Sequence, residues 1–215
     1  KLHWLKHTLG RRVREENVAA LLALCNGLGL INGSLLAIGR WIGAACLGLM
    51  VLVILAQVFF RYVLNSALPW PEETSRFLML WSTGLMAPTA FRRGGFVAID
   101  MIVRMLPRMV ATVLSIFLMV VTILVLWIAL GIGWSEVTGI GGKFETDSLW
   151  IPTSLDMASW MKVPMSWMMA SMLVGVALLL AVAVELALRN IHVLIRGPDG
   201  LREIPDTVML GSGAE

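Results

Sequence analysis

The chain has 215 residues, of which 58% are hydrophobic and only 14% charged. A soluble domain carries about 25% charged residues, so this composition excludes an ordinary water-soluble globule and points to an all-α integral membrane protein. The formal net charge of +3 is not a nucleic-acid signature, because basic residues in membrane proteins mark the cytoplasmic loops.

Residues 1–34 form a basic N-terminal segment, with Lys1, Lys6, Arg11, Arg12 and Arg14. Glu15 and Glu16 interrupt the approach to the first apolar stretch, and no small-residue cleavage site precedes it, so we expect no cleaved signal peptide. Val18–Gly39 is free of charge but holds Asn26, Asn32, Gly27, Gly29, Gly33 and Gly39. It also runs into the next apolar stretch with no room for a loop. Its 22 charge-free residues would allow a fifth span, but we expect instead an interfacial helix over roughly residues 15–30, then a turn near Asn32-Gly33.

Residues 35–190 are expected to carry four transmembrane helices, since about 20 apolar residues cross a bilayer core. The spans fall at about 35–62, 72–91, 107–134 and 163–188, with Arg40 near the start of the first, able to snorkel to the head groups. Pro88 should kink the second span unless neighbours satisfy the carbonyl it frees. Between the third and fourth spans, 135–162 is a long outer loop rich in Gly and Trp. Residues 191–215 read as a polar cytoplasmic tail. Lys and Arg number thirteen on one side of this arrangement (six in 1–40, four in 92–108, three in 189–215) and four on the other (Arg61, Arg76, Lys143, Lys162). The richer side should be cytoplasmic, which puts both termini inside and the 62–71 and 135–162 segments outside.

Few residues could carry chemistry. His3, His7 and His192 lie outside the expected spans, which opposes a bis-histidine haem. Cys25 and Cys46 read as small apolar residues with no disulfide and no metal-ligand spacing. No cofactor or metal is expected, and no enzymatic activity. The polar residues within the spans, Gln57, Thr83, Ser115 and Thr122, suit packing and helix–helix hydrogen bonds.

The junctions between spans are more specific. Pro71 suits a first helical turn, and Glu72 and Glu73 follow at the positive end of the helix dipole. Glu72 and Arg76 are spaced to pair, and Trp70 is an interfacial anchor. Arg61 needs a carboxylate, helix-end carbonyls or a lipid phosphate, and Glu72 or Glu73 is the expected partner. At the inner end Arg92 and Arg93 are stop signals and Gly94-Gly95 a tight turn, followed by Asp100. Glu185 and Arg189 are spaced as an i, i+4 pair.

Together these pieces resemble the small membrane subunit of tripartite ATP-independent periplasmic (TRAP) transporters. The matching stretches are Arg61-Tyr62-Val63-Leu64-Asn65, Leu68-Pro69-Trp70-x-Glu72-Glu73, Arg76-Phe77, Arg92-Arg93-Gly94-Gly95, Asp100 and Val163-Pro164-Met165-Ser166-Trp167. The N-terminal 34 residues and the 135–162 loop are longer than the family's pattern. The resemblance implies a four-helix scaffold in the bacterial inner membrane. It would brace a large sodium-coupled elevator subunit that imports an organic acid delivered by a periplasmic binding protein. It also implies that Arg61, Asn65, Trp70, Glu72, Glu73 and Arg76 hold an outer hairpin and partner interface, and that Arg92, Arg93, Gly94, Gly95 and Asp100 hold an inner one. Membrane lipids are the remaining expected partners. The alternative class is an anchor or assembly subunit of another membrane complex with no transport role.

Overall fold

The computed structural model describes residues 2–66, 68–93, 108–152 and 160–196. Four helices carry the fold: α1 (Leu2–Tyr62), α2 (Trp70–Arg92), α3 (Arg108–Thr138) and α4 (Ser166–Arg196). The all-α membrane class expected from composition stands. α1, α3 and α4 each contain a stretch long and apolar enough to cross a membrane: Leu22–Tyr62, Val113–Thr138 and Ser166–His192. α2 has 23 residues, roughly 35 Å of helix, and lies between α1 and α4. That placement explains its lower apolar content, because protein rather than lipid covers it on two sides.

α4 is the hub. It touches the three other helices, while α3 packs chiefly on α4. α1 and α2 run antiparallel, as their short connection requires. α2 and α4 run parallel, since Gly84 meets Ser171 and Gly175 while Arg92 meets Glu185 further along both.

The expected turn at Asn32-Gly33 does not form. α1 continues through it as one helix of 61 residues, roughly 90 Å long. The residues that suggested a turn have another use. Gly29 and Gly33 make room for the Arg92 guanidinium, and Gly39 lies against the Leu85 carbonyl, 3.3 Å from where a Cβ would sit. In a membrane-embedded helix, small residues mark where a neighbour approaches closely, and here these three glycines lie along one helix side.

The 135–162 loop also departs from expectation. α3 runs on to Thr138, a 3₁₀ turn covers Gly141–Lys143, and two antiparallel strands follow, β1 (Glu145–Pro152) and β2 (Trp160–Pro164). Glu145 pairs with Pro164 and Trp150 with Lys162, so Thr146–Leu149 bulge out opposite Val163 alone. The bulge is held by the buried Thr146 hydroxyl, which donates to the Val163 carbonyl at 2.8 Å and to the Leu149 carbonyl at 3.3 Å. Lys162 lies over the Trp150 ring, 5.3 Å from its centroid.

α2 and α4 approach each other backbone to backbone. A Cβ on Gly84 would sit 2.5 Å from the Ser171 carbonyl oxygen, and one on Gly175 would sit 2.9 Å from the Gly84 carbonyl oxygen. Pro88 lies four residues after Gly84 and has no N–H, so it frees that same carbonyl. The proline and the two glycines thus work together: α2 stays helical through Pro88, and the freed Gly84 carbonyl is turned to α4's backbone, a geometry suited to a Cα–H···O contact. The hydroxyls of Thr83 and Thr122 donate to carbonyls of their own helices, at 2.9 and 2.8 Å, rather than across helices as expected. Gly84→Ala and Gly175→Ala should each cost about 1–3 kcal/mol through overpacking, read as equilibrium unfolding in detergent. Gly131→Ala, where a Cβ meets nothing within 4 Å, should be neutral or stabilising by up to about 1 kcal/mol. The reverse order would refute the close crossing.

Candidate functional site

Two polar clusters stand out, one at each end of α2. The first lies at its C-terminal end, where α1, α2 and α4 meet. Glu185 of α4 is fully buried. Its Oε1 accepts from Arg92 Nη2 at 2.7 Å and from Arg189 Nε at 3.1 Å. Its Oε2 accepts from Arg92 Nε at 3.1 Å and from the Asn32 amide at 2.9 Å. Arg92 Nη2 also donates to the Gly29 carbonyl at 2.9 Å, and Asn32 to the Ala181 carbonyl at 3.3 Å.

Each element supplies what its position allows. Arg92, in α2's last turn, meets Glu185 with two nitrogens, a forked geometry that lysine cannot reproduce. Arg189 follows Glu185 by one turn of α4, and Asn32 and Gly29 share one side of α1. The Arg92 side chain is 7% exposed and that of Glu185 0%, so little water screens the pair. Arg92 therefore sits inside a three-helix junction, whereas the sequence placed it in an inner hairpin. Neither its pairing with Glu185 nor the part played by Asn32 was anticipated. The available signals were a carboxylate at the end of a charge-free run and an Asn between two glycines.

His192 stands one turn past Arg189, buried, with neither ring nitrogen hydrogen-bonded among the described residues. No group of three or more His, Cys, Asp or Glu side chains among the described residues has metal-site geometry. With both oxygens of Glu185 engaged by groups from α1, α2 and α4, the cluster ties the three helices together.

The second cluster holds the strands to α2. Glu73, in α2's first turn, accepts at Oε2 from the Ser148 N–H (2.7 Å) and the Ser148 hydroxyl (2.6 Å), and at Oε1 from the Asp147 N–H (3.2 Å). The β1 bulge makes this possible, because it turns successive backbone N–H groups out of the ladder toward one carboxylate. Glu72 meets Arg76 at 3.7 Å as spaced, with both side chains well exposed, a pair worth little on its own. Arg61 does not take up the expected carboxylate. It lies over the neighbouring Tyr62 ring, 6.0 Å from the centroid, while Glu72 and Glu73 are engaged elsewhere.

Asn65 adopts φ 49°, a left-handed conformation that Asn tolerates, and turns the chain between α1 and α2. Trp70 opens α2 and is 40% exposed. The Arg93 N–H donates to the Thr89 carbonyl at 3.1 Å and closes α2. Gly94, Gly95 and Asp100 lie outside the described residues.

A family model described as "Tripartite ATP-independent periplasmic transporters, DctQ component" matches residues 50–192. No curated protein matches the chain. The matched stretch contains Glu73, Arg92, Ser148, Glu185 and the α2–α4 crossing, and begins after Gly29 and Asn32.

Arg92→Ala should cost about 3–5 kcal/mol, because it removes the forked partner of a buried carboxylate and leaves it to Arg189 and Asn32. In a cycle with Glu185→Ala, measured by unfolding in detergent, the double variant should lose clearly less than the two single losses added. Simple additivity would mean the pair is not coupled. Glu73→Ala should speed hydrogen exchange at the Asp147 and Ser148 amides by about tenfold or more, since hydrogen bonds to a charged group contribute about 1.5–3 kcal/mol. Unchanged exchange there would show that the clamp does not hold the strands.

Proposed function

The chain belongs to the DctQ-component family of tripartite ATP-independent periplasmic transporters, and from this membership we propose that it is the scaffold that braces the large, sodium-coupled membrane subunit. That subunit would carry an organic acid inward by an elevator motion, after delivery by a periplasmic binding protein. In this reading the Arg92 end of the bundle and both termini face the cytoplasm, in line with the excess of Lys and Arg there. The β1–β2 strands, Arg61 and the Glu72–Arg76 pair then face the periplasm, where they offer surface to the other two components.

One observation supports the scaffold reading most directly. Glu185, within the candidate span Ser166–His192, is saturated by Arg92, Arg189 and Asn32, so it offers no free oxygen to a travelling cation. Ionisable groups in a membrane serve transport when they can exchange partners along a path. Here they bind helix to helix. A structure locked in this way suits the stationary part of a machine whose ion and substrate sites lie on another chain.

The test is co-expression of the tagged chain with the large membrane subunit, followed by purification in mild detergent and reconstitution with the binding protein under a sodium gradient. The two membrane chains should co-purify in near-equal amounts, and uptake should require both. Uptake by this chain alone, or full uptake without it, would overturn the scaffold role.

A further inference from the structure

The bulge in β1 is fastened to α2 at a single group. Every hydrogen bond described between α2 and the strands ends on the Glu73 carboxylate. Its Oε2 accepts from the Ser148 N–H at 2.7 Å and the Ser148 hydroxyl at 2.6 Å, and its Oε1 from the Asp147 N–H at 3.2 Å. β2 lies against α4 instead. By chain, β1 follows α3 through the 3₁₀ turn, and β2 leads into α4 after Met165. The strands are thus tethered by the chain at the α3–α4 side and by one carboxylate at the α2 side.

That carboxylate can be reached. A polar cavity of about 210 Å³ lies beside it, lined by Pro69, Glu72, Glu73, Arg76, Asp147 and Ser148, and Glu73 lies outside the candidate membrane spans. Glu185 is fully buried, with both oxygens bound by groups from three helices. The two polar clusters therefore differ in kind: one is sealed, and the other stands open to protons from water.

The charged groups around Glu73 are few. Glu72 and Arg76 of α2 and Asp147 of β1 line the same cavity, and Glu72 and Arg76 face each other at 3.7 Å. Arg61, at the end of α1, lies over Tyr62, and Lys162 of β2 lies over Trp150. Among the described residues no cation pairs with Glu73, so hydrogen-bond donors alone hold its charge. Burial pushes the Glu73 carboxyl up, but the Ser148 hydroxyl and the Ser148 and Asp147 N–H groups outweigh this and hold it below its ordinary value of 4.5. Protonation removes the charge that strengthens each of these bonds and adds a hydroxyl proton where donors already converge.

We propose that the Thr146–Leu149 bulge is an acid-released strap: Glu73 as a carboxylate holds it on α2, and Glu73 as an acid lets it lift away and open the cavity while the α1–α2–α4 bundle stays assembled. The strap is held in full above the ordinary glutamate value, and the hold is lost as pH falls through the lower value that Glu73 has when closed. It needs no partner chain to act, so it stands or falls apart from the scaffold role.

The experiment is hydrogen exchange on the full chain in detergent, from neutral pH to about pH 3, with each rate corrected for the intrinsic pH dependence of amide exchange. The Asp147 and Ser148 amides should lose protection about tenfold or more in one step below pH 4.5, while the α4 amides around Gly175 stay protected. Glu73→Gln, which matches the shape of the uncharged acid, should show the low protection already at neutral pH and no step. Glu72→Gln and Asp147→Asn should keep the step. Loss of protection at Asp147 and Ser148 only together with α4 would make the event unfolding and overturn the strap. So would the absence of any step before α4 unfolds, or protection in Glu73→Gln equal to that of the unaltered chain at neutral pH. A step that survives in Glu73→Gln, or that disappears in Glu72→Gln or Asp147→Asn, would assign the proton to another group and overturn it equally.

Discussion

In a lipid environment a helix gains nothing by hiding apolar side chains from its surroundings, so something else must fix which helix lies beside which and in what register. Here that role falls to the Glu185 carboxylate. It is fully buried and receives hydrogen bonds from three helices: Asn32 of α1, Arg92 of α2, and Arg189 of its own α4. A displacement of α2 against α4 by one residue would part Arg92 from Glu185, at a cost that far exceeds that of mispacked methyl groups, and a displacement of α1 would withdraw the Asn32 amide from the same carboxylate. A buried ion pair adds little net stability compared with an apolar replacement of the same shape. Its value is that it makes wrong registers expensive.

The α2–α4 crossing depends on the same register. Gly84 and Gly175 meet backbone to backbone, an arrangement tolerant of almost no sliding. Pro88 could have weakened α2, yet its missing N–H frees the Gly84 carbonyl that faces α4. Two residues that are poor helix formers in water are thus used where close approach matters more than propensity. From this crossing to the Arg92–Glu185 pair, α2 and α4 run side by side with matched polar and steric constraints.

The long apolar runs made the membrane class and most of the helices legible, and Pro71-Glu72-Glu73 marked the start of α2 through its capping chemistry. The errors share one physical cause: local sequence does not say whether a polar or small residue serves the chain next to it or a distant helix. Asn32-Gly33 has the composition of a turn, and only the arrival of Glu185 and Arg92 makes it helix. Arg92 has the look of a stop signal, and its partner lies 93 positions away. Glu73 is a first-turn acid, as its place just after Pro71 indicates. Its ligands are backbone N–H groups of a bulge that exists only because β1 and β2 pair out of step, which no alternation of residue types announced.

The two polar clusters give α2 a particular mechanical character. At one end Glu73 ties it to the strands, and at the other Arg92 ties it to α1 and α4. A helix fixed at both ends and pressed against glycine in the middle has few soft modes, so the α1–α2–α4 unit should move as one body. The cost of such internal commitment is that these groups are spent within the chain. Recognition of another protein must then use what is left over, and the leftover groups are not spread evenly. At the hairpin end they are the exposed Arg61 and the Glu72–Arg76 pair, which water can solvate. Partway along α1 the described remainder is the half-buried Arg40 beside the exposed Trp41. The groups left over for recognition thus stand apart from the two clusters that hold α2 in place.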